Sequence, residues 1–329
     1  MVIVDDHRPG KAEDRLKRIR VKVKAAVYCQ LCGKPIKGRG QIFRHPGWSS
    51  ELSLAACDQC ARHNPRCRRC GLPLPTKTDA DLCITCLAEM DLCLACKRPI
   101  LGKTFFFDTS GPYCEDCCQN RSRCQVCDAP QTDASWQLSD GRIICANCHA
   151  SGVHTTDQAT ALYEEIKRLV RDQLGFELNI PTGLALVDQT QMREVIIQQS
   201  MSDGNLQGAG SEFAEREIEK TLGIYARRGV RRGIYILVGL PRRLFLQIAA
   251  HEYAHAWQGE NCPIIRDSLV HEGFAEWVAY HVVGRLGYPE SQSRMLTRED
   301  LYGAGLKWAL GVEAVQGVSG VIQACRSAN

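Results

Sequence analysis

The sequence predicts an α+β chain in two parts: a tandem array of small β-hairpin modules stapled by zinc, then a mixed domain built around a metal-binding helix. Three observations predict it. Of 19 cysteines in 329 residues, 17 lie between Cys29 and Cys148. Sixteen of these fall into eight C-x-x-C pairs. Beyond residue 150 the composition returns to that of an ordinary globular domain, and one apolar stretch there carries H-E-x-x-H. The shift divides the chain into a basic N-terminal arm (1–28), the array (29–150) and the mixed domain (151–329).

At 44% hydrophobic and 24% charged, the composition excludes a largely disordered chain. No run of 18 apolar residues exists, so neither a transmembrane helix nor a membrane partner is expected. The N-terminus lacks the apolar core of an export signal, which points to a cytoplasmic, reducing location. Clustered thiols there are metal ligands rather than disulfides. The net charge of +4 names no partner.

Within the array, neighbouring pairs combine into four modules, each with four cysteine ligands: Cys29/Cys32 with Cys57/Cys60, Cys67/Cys70 with Cys83/Cys86, Cys93/Cys96 with Cys114/Cys117, and Cys124/Cys127 with Cys145/Cys148. Two C-x-x-C turns complete one tetrahedral zinc site. The internal gaps are 24, 12, 17 and 17 residues, and six residues separate each module from the next. That constant spacing marks a repeat. Modules this small lack a sizeable core, so zinc supplies much of their folding free energy, on the order of 10 kcal/mol per site. Cys118, His45, His63 and His149 are possible substitute ligands. The segment WQLSDGRII (136–144) predicts a hairpin turning at Asp140-Gly141.

Residues 25–150 hold 15 Lys and Arg against 12 Asp and Glu. Four zinc ions on sixteen thiolates leave the loaded array at about −5. Nucleic-acid binding needs a basic excess, so the array is expected to bind protein. The stretch 11–24, with seven basic and two acidic residues, is basic, and its plainest reading is a solvated arm or strand.

In the second part, 155–174 carries a helical apolar stripe with N-cap chemistry at Thr155–Asp157 and a stop at Gly175. Segments 183–188, 221–226 and 233–240 read as strands, and 200–211 as a loop. A helix follows over 243–258. His251 and His255, four residues apart, share one helical face and can reach one zinc ion, with Glu252 beside it as the base. A third protein ligand is required. Asn261 stands where a third histidine of the extended motif would fall. Glu272, on a second apolar helix over 268–283, is the favoured ligand and His271 the weaker one; Glu276 is one turn further and supports the site. Tyr280, His281, Tyr288 and Tyr302 are candidates for stabilising an oxyanion. Strand 234–240, just before the metal helix, is either a substrate-holding strand or a plain buried one. Cys262 and Cys325 read as small buried apolar residues.

The segments ILVGLPRRLFLQIAAHEYAHAW, HEGFAEWVAYHVV and the small-residue tail YGAGLKWALGVEAVQGVSGVIQA resemble the DA1 family of LIM-containing peptidases, and more broadly the gluzincin metallopeptidases. The resemblance implies LIM-like modules before a zincin-like metallopeptidase domain. It implies one catalytic zinc on His251, His255 and Glu272, Glu252 as catalytic base, and four structural zinc ions. It further implies protein substrates and a regulatory protein bound by the array. The first module departs from the LIM pattern, which has a two-residue linker and a His-x-x-Cys. Plant members carry ubiquitin-interacting helices at the N-terminus, and residues 1–28 show none, so ubiquitin as a partner comes only from the resemblance. Two rival readings are a DNA-associated SprT-like zinc protease, whose third ligand is His rather than Glu, and a non-catalytic zinc-stapled adaptor.

Overall fold

The computed structural model describes residues 2–4, 17–22, 27–37, 39–45, 53–75, 81–107, 110–202, 220–228, 231–262 and 265–328. It divides into two units, Met1–Asp133 and Ala134–Asn329. The expected loop at 200–211 starts inside a helix that runs to Ser202 and otherwise lies outside the described residues, as does most of the basic arm.

In the first unit every module opens on the same turn: CQLCGKP, CRRCGLP, CLACKRP and CQVCDAP. The residue after the second cysteine has positive φ each time: Gly33 (73°), Gly71 (72°), Lys97 (59°) and Asp128 (59°). Its amide donates to the first cysteine's carbonyl at 2.8–2.9 Å. The proline two residues on forms an isolated bridge with the residue before that cysteine: Tyr28 with Pro35, Arg66 with Pro73, Leu92 with Pro99, Arg123 with Pro130. This folds both thiols to one side.

The hairpins between the turns are short. Strand β1 (Val2–Val4) pairs with β5 (Thr104–Phe107), which pairs with β6 (Ser110–Cys114). Strands β2 (Lys17–Lys22), β3 (Arg39–Arg44) and β4 (Leu54–Cys57) form a second antiparallel sheet. Each hairpin or loop ends on a cysteine that starts a short helix: α1 (Asp58–His63), α2 (Ile84–Ala88) and α3 (Glu115–Asn120). Cys57 and Cys83 N-cap their helices through sulfur, accepting from the amides of Cys60 and Cys86. The cores are correspondingly small. Arg66 lies 5.4 Å over the Phe43 ring and Arg123 lies 5.2 Å over Phe107, the same device in both halves of the array.

The second unit begins earlier than the composition shift near residue 150. Its first hairpin, β7 (Ser135–Gln137) and β8 (Ile143–Cys145), turns at Gly141 with φ 87° and runs into α4 (Ala146–Ala150). Arg142 explains the division. Its guanidinium pairs with Asp140 at 2.8 Å and donates to the Val238 carbonyl at 2.7 Å, both side chains being buried. Close by, the Val153 amide donates to the Leu240 carbonyl and the Gly239 amide donates to the Val153 carbonyl. The boundary therefore falls inside the fourth module: Cys124 and Cys127 end the first unit, and Cys145 and Cys148 open the second.

Helix α5 (Thr156–Leu169) starts with a Thr155/Gln158 capping box and loosens into a π-helical turn over Val170–Leu174, stopped at Gly175. A three-stranded sheet follows, with β9 (Gly183–Val187), β10 (Gly223–Arg228) and β11 (Arg231–Leu237) in the order β10-β11-β9, and with α6 (Gln189–Ser202) between β9 and β10. Strand β11 is central, antiparallel to β10 and parallel to β9. Both of its edges are taken, so the apolar run at 234–240 is the buried-strand case and not a substrate-binding edge. Helix α7 (Arg242–Asn261) packs on this sheet; α8 (Ser268–Arg285), α9 (Pro289–Thr297) and α10 (Leu301–Ser327) complete the unit. Tyr253, Trp257, Phe274 and Trp277 fill the core. Helices α8 and α10 meet backbone to backbone: a Cβ on Gly273 would stand 2.6 Å from the Gly305 carbonyl oxygen. Among the described residues no helix is long and apolar enough to cross a membrane.

Candidate functional site

Helix α7 is buried along most of its length, yet His251 and His255 stay half-buried on the face toward α8. Their Nε2 atoms stand 3.0 Å apart. Glu272, in the second turn of α8, brings Oε2 to 3.3 Å from His251 Nε2 and 3.5 Å from His255 Nε2. Four-coordinate zinc with bonds of about 2.0–2.1 Å sets its nitrogen and oxygen donors about 3.3–3.4 Å apart. The three donors fit such an ion, and this group could hold a metal.

Surrounding contacts orient these donors. His251 Nδ1 lies 3.3 Å from Glu276 Oε1, and Arg298 lies 3.6 Å from the same carboxylate. His255 Nδ1 is 2.8 Å from Gln258 Oε1, and Gln258 Nε2 donates to the His271 carbonyl at 2.9 Å. The His255 ring is thus held through the nitrogen pointing away from the convergence point, and the same nitrogen of His251 faces the Glu276 carboxylate. Burial lowers the His251 pKa, but the Glu272 and Glu276 carboxylates outweigh it and push it up to about 10. Burial raises Glu272, but the three imidazoles of His251, His255 and His271 hold it well below the usual carboxylate range. The pocket is built to hold positive charge next to this carboxylate.

His271, the alternative ligand, stacks on His255 with ring centroids 4.4 Å apart and places Nδ1 3.2 Å from Glu272 Oε1. It stands beside the group rather than within it. Glu252 is 9% exposed and accepts the Tyr225 amide at 2.7 Å through Oε2. Edge strand β10 lies tight above it: a Cβ on Gly223 would stand 2.3 Å from Ile248 Cγ2.

These side chains line one open cleft of about 540 Å³, together with Gly223, Ile224, Arg227, Cys262 and Tyr302. Of the four oxyanion candidates only Tyr302 lines it. His281 is engaged elsewhere, 3.0 Å from Glu313 Oε2.

Three donor groups lie within the first unit: Cys29/Cys32/Cys57/Cys60, His45/Cys70/Cys83/Cys86 and Cys93/Cys96/Cys114/Cys117. Sulfur–sulfur separations of 4.0, 3.7 and 3.9 Å (Cys32–Cys57, Cys70–Cys83, Cys96–Cys114) match the about 3.8 Å spacing that zinc–sulfur bonds of about 2.3 Å require. Burial opposes ionisation of Cys29, but the amides of Cys57, Cys32 and Leu31 pull it down to about 6. In the second group buried His45, at 3.1 Å from Cys86 Sγ, joins Cys70, Cys83 and Cys86, while Cys67 is hydrogen-bonded to Cys70 alongside. Cys118 is buried and belongs to no group within the first unit. Sequence spacing offered His45 only as one of several substitute ligands, because it comes from the preceding hairpin. It missed Gln258 and Tyr225 because neither belongs to a motif, although a glutamine on the buried face of a helix was a signal.

No family model matches the chain. The chain is similar to LIM domain-containing protein HDR3 of Oryza sativa subsp. japonica, 24% identical over 242 residues, covering 65% of this chain and 44% of that protein. It is similar to Protein DA1-related 1 of Arabidopsis thaliana, 29% identical over 182 residues, covering 48% and 32%. It is also similar to PDZ and LIM domain protein 7 of Mus musculus, 25% identical over 123 residues, covering 30% and 27%. The chain spans less than half the length of these relatives. It is a weak relative of DA1 and LIM-domain proteins, with clustered cysteine groups on small hairpins consistent with LIM-like zinc modules.

Proposed function

We propose that the chain is a zinc-dependent endopeptidase whose cysteine-rich array recognises protein. The observation that carries this reading is the convergence of His251, His255 and Glu272 on one point of an open cleft, with the Glu252 carboxylate on the same wall. Zinc at this point would supply Lewis acidity, lowering the pKa of a water molecule and polarising a scissile carbonyl. Glu252 takes the proton of the attacking water and later delivers it to the leaving amine nitrogen. The Tyr225 amide fixes the orientation of that carboxylate. Tyr302 is the donor for the negative charge that develops on the carbonyl oxygen. Strand β10 is the edge of its sheet and lines the cleft, so an extended peptide would run beside it.

The structural zinc ions would sit on the cysteine groups. Within the first unit three such ions would be held, with Cys67 or His45 completing the second group, and one more would sit at the cleft. The presence of LIM-domain proteins among the relatives supports protein partners for the array. The same relatives favour a second reading, a zinc-stapled adaptor whose second unit is inert.

One experiment separates the readings. Wild-type protein is expected to cleave a generic unfolded protein such as casein, the cleavage to stop under a chelator and return with zinc, and Glu252→Gln to keep its metal while losing activity by about 10²-fold or more. Cleavage unchanged in Glu252→Gln overturns the assigned base. No cleavage by zinc-loaded wild type selects the adaptor.

A further inference from the structure

Only two cysteines lie outside the array, 63 residues apart in sequence, and the fold brings their sulfurs to 3.6 Å. Cys262 ends α7 with extended backbone geometry, is half-buried and lines the metal cleft. Cys325 is fully buried near the end of α10. We infer that this pair is an oxidation site: a hydroperoxide entering the cleft oxidises Cys262, and Cys325 resolves it to a disulfide. The inference stands independently of whether the cleft hydrolyses peptides.

The geometry divides the labour. Cys262 is the thiol that a small oxidant can reach, and Cys325 is shielded. The hydrogen bond from Cys325 lowers the Cys262 pKa, favouring the nucleophilic thiolate. With hydrogen peroxide, the Cys262 thiolate attacks one oxygen, an S–O bond forms, the O–O bond breaks, and hydroxide departs to become water. The Cys325 sulfur then attacks the sulfenic sulfur. An S–S bond forms, the S–O bond breaks, and the departing hydroxide takes the Cys325 proton as a second water. Two thiols lose two electrons and one peroxide gains them. Closing to a bond length of about 2.05 Å needs a further approach of about 1.6 Å, available at Cys262 because it stands past the last helical turn.

The site bears on the metal centre through one residue. Gln258 Nε2 donates to Cys325 Sγ at 3.4 Å while its Oε1 stands 2.8 Å from His255 Nδ1. Oxidation changes the sulfur that this amide touches and ties the end of α7 to α10.

The test uses full-length, zinc-loaded protein treated with hydrogen peroxide, alkylated and digested with trypsin. The expected product joins peptides 244–266 and 308–326, lighter by two hydrogens than their sum, and a dithiol reductant separates them. In Cys325→Ser, and equally in Cys325→Ala should the serine variant fold poorly, Cys262 is expected to stop at the sulfenic acid and be captured by dimedone. In Cys262→Ser, Cys325 is expected to stay unmodified. If both thiols remain fully alkylatable after peroxide has oxidised cysteines of the array, or if Cys262 couples to an array cysteine instead, the inference is overturned and the two residues are packing thiols.

Discussion

Asp140 carries more than a turn residue usually does. Its carboxylate takes the Arg142 guanidinium at 2.8 Å and the amides of Arg142 and Gln189 at 3.1 Å each. Removing one partner of a buried pair strands the other, so Asp140→Ala is expected to cost about 3 kcal/mol by denaturant unfolding. Burial raises the Asp140 pKa, but Arg142 outweighs it and the net shift is downward. The ionised form therefore stabilises the fold above the unfolded carboxylate's pKa of about 3.9, and that contribution is lost as pH falls through the lower folded value. A stability profile in which wild type loses its advantage over Asp140→Ala only below about pH 4 checks the sign. At the array turns, positive φ is the constraint. Gly33 has open space around it, so Gly33→Val should lose about 1 kcal/mol more than Gly33→Asn, for backbone reasons alone. Residues whose chemistry depends on near neighbours were legible in the sequence: the C-x-x-C turns, the Asp140-Gly141 hairpin and the pairing of His251 with His255 along one helix. Gln258 and the contact between Cys262 and Cys325 were not, because each partner comes from a distant segment and no local pattern marks it; His45 stood among the possible ligands, but its place beside Cys70, Cys83 and Cys86 depends on a distant segment.

Helices α8 and α10 cross where Gly273 and Gly305 touch. Glu272 is the residue next to that contact. Gly273→Ala would force the helices apart and is expected to lower stability by about 1–3 kcal/mol, and to weaken zinc affinity at the cleft more than Ala304→Gly, one residue off the contact, does. Isothermal titration with zinc into chelated protein, beside a thermal melt, checks both effects. At the level of elements, the apolar periodicity of 243–258 and 268–283 located α7 and α8 within a few residues. It left α10 as a small-residue tail, because a helix rich in glycine and alanine has a weak periodic signal. An apolar run such as β11 reads the same whether one edge or neither is free, so its central position had to come from the strand order β10-β11-β9.

At the scale of the molecule, the composition shift marks where the cysteines stop, but the second unit starts at Ala134. The hairpin at 135–145 belongs to it because Arg142 holds the Val238 carbonyl and Leu138 lies against Gly239, at the entrance to α7. A fragment of residues 134–329 is therefore expected to melt higher than one of residues 151–329, a difference readable by circular dichroism. The boundary inside the fourth module could not be read from cysteine spacing, which records ligand order and not what the intervening hairpin packs on. The central claim is that a carboxylate from α8 completes a metal grip begun on α7. Zinc per chain, measured by elemental analysis on Glu272→Ala and Glu276→Ala beside wild type, tests it most directly. The account predicts that Glu272→Ala loses one zinc while Glu276→Ala keeps its full complement with weaker affinity; an unchanged zinc content in Glu272→Ala would contradict it.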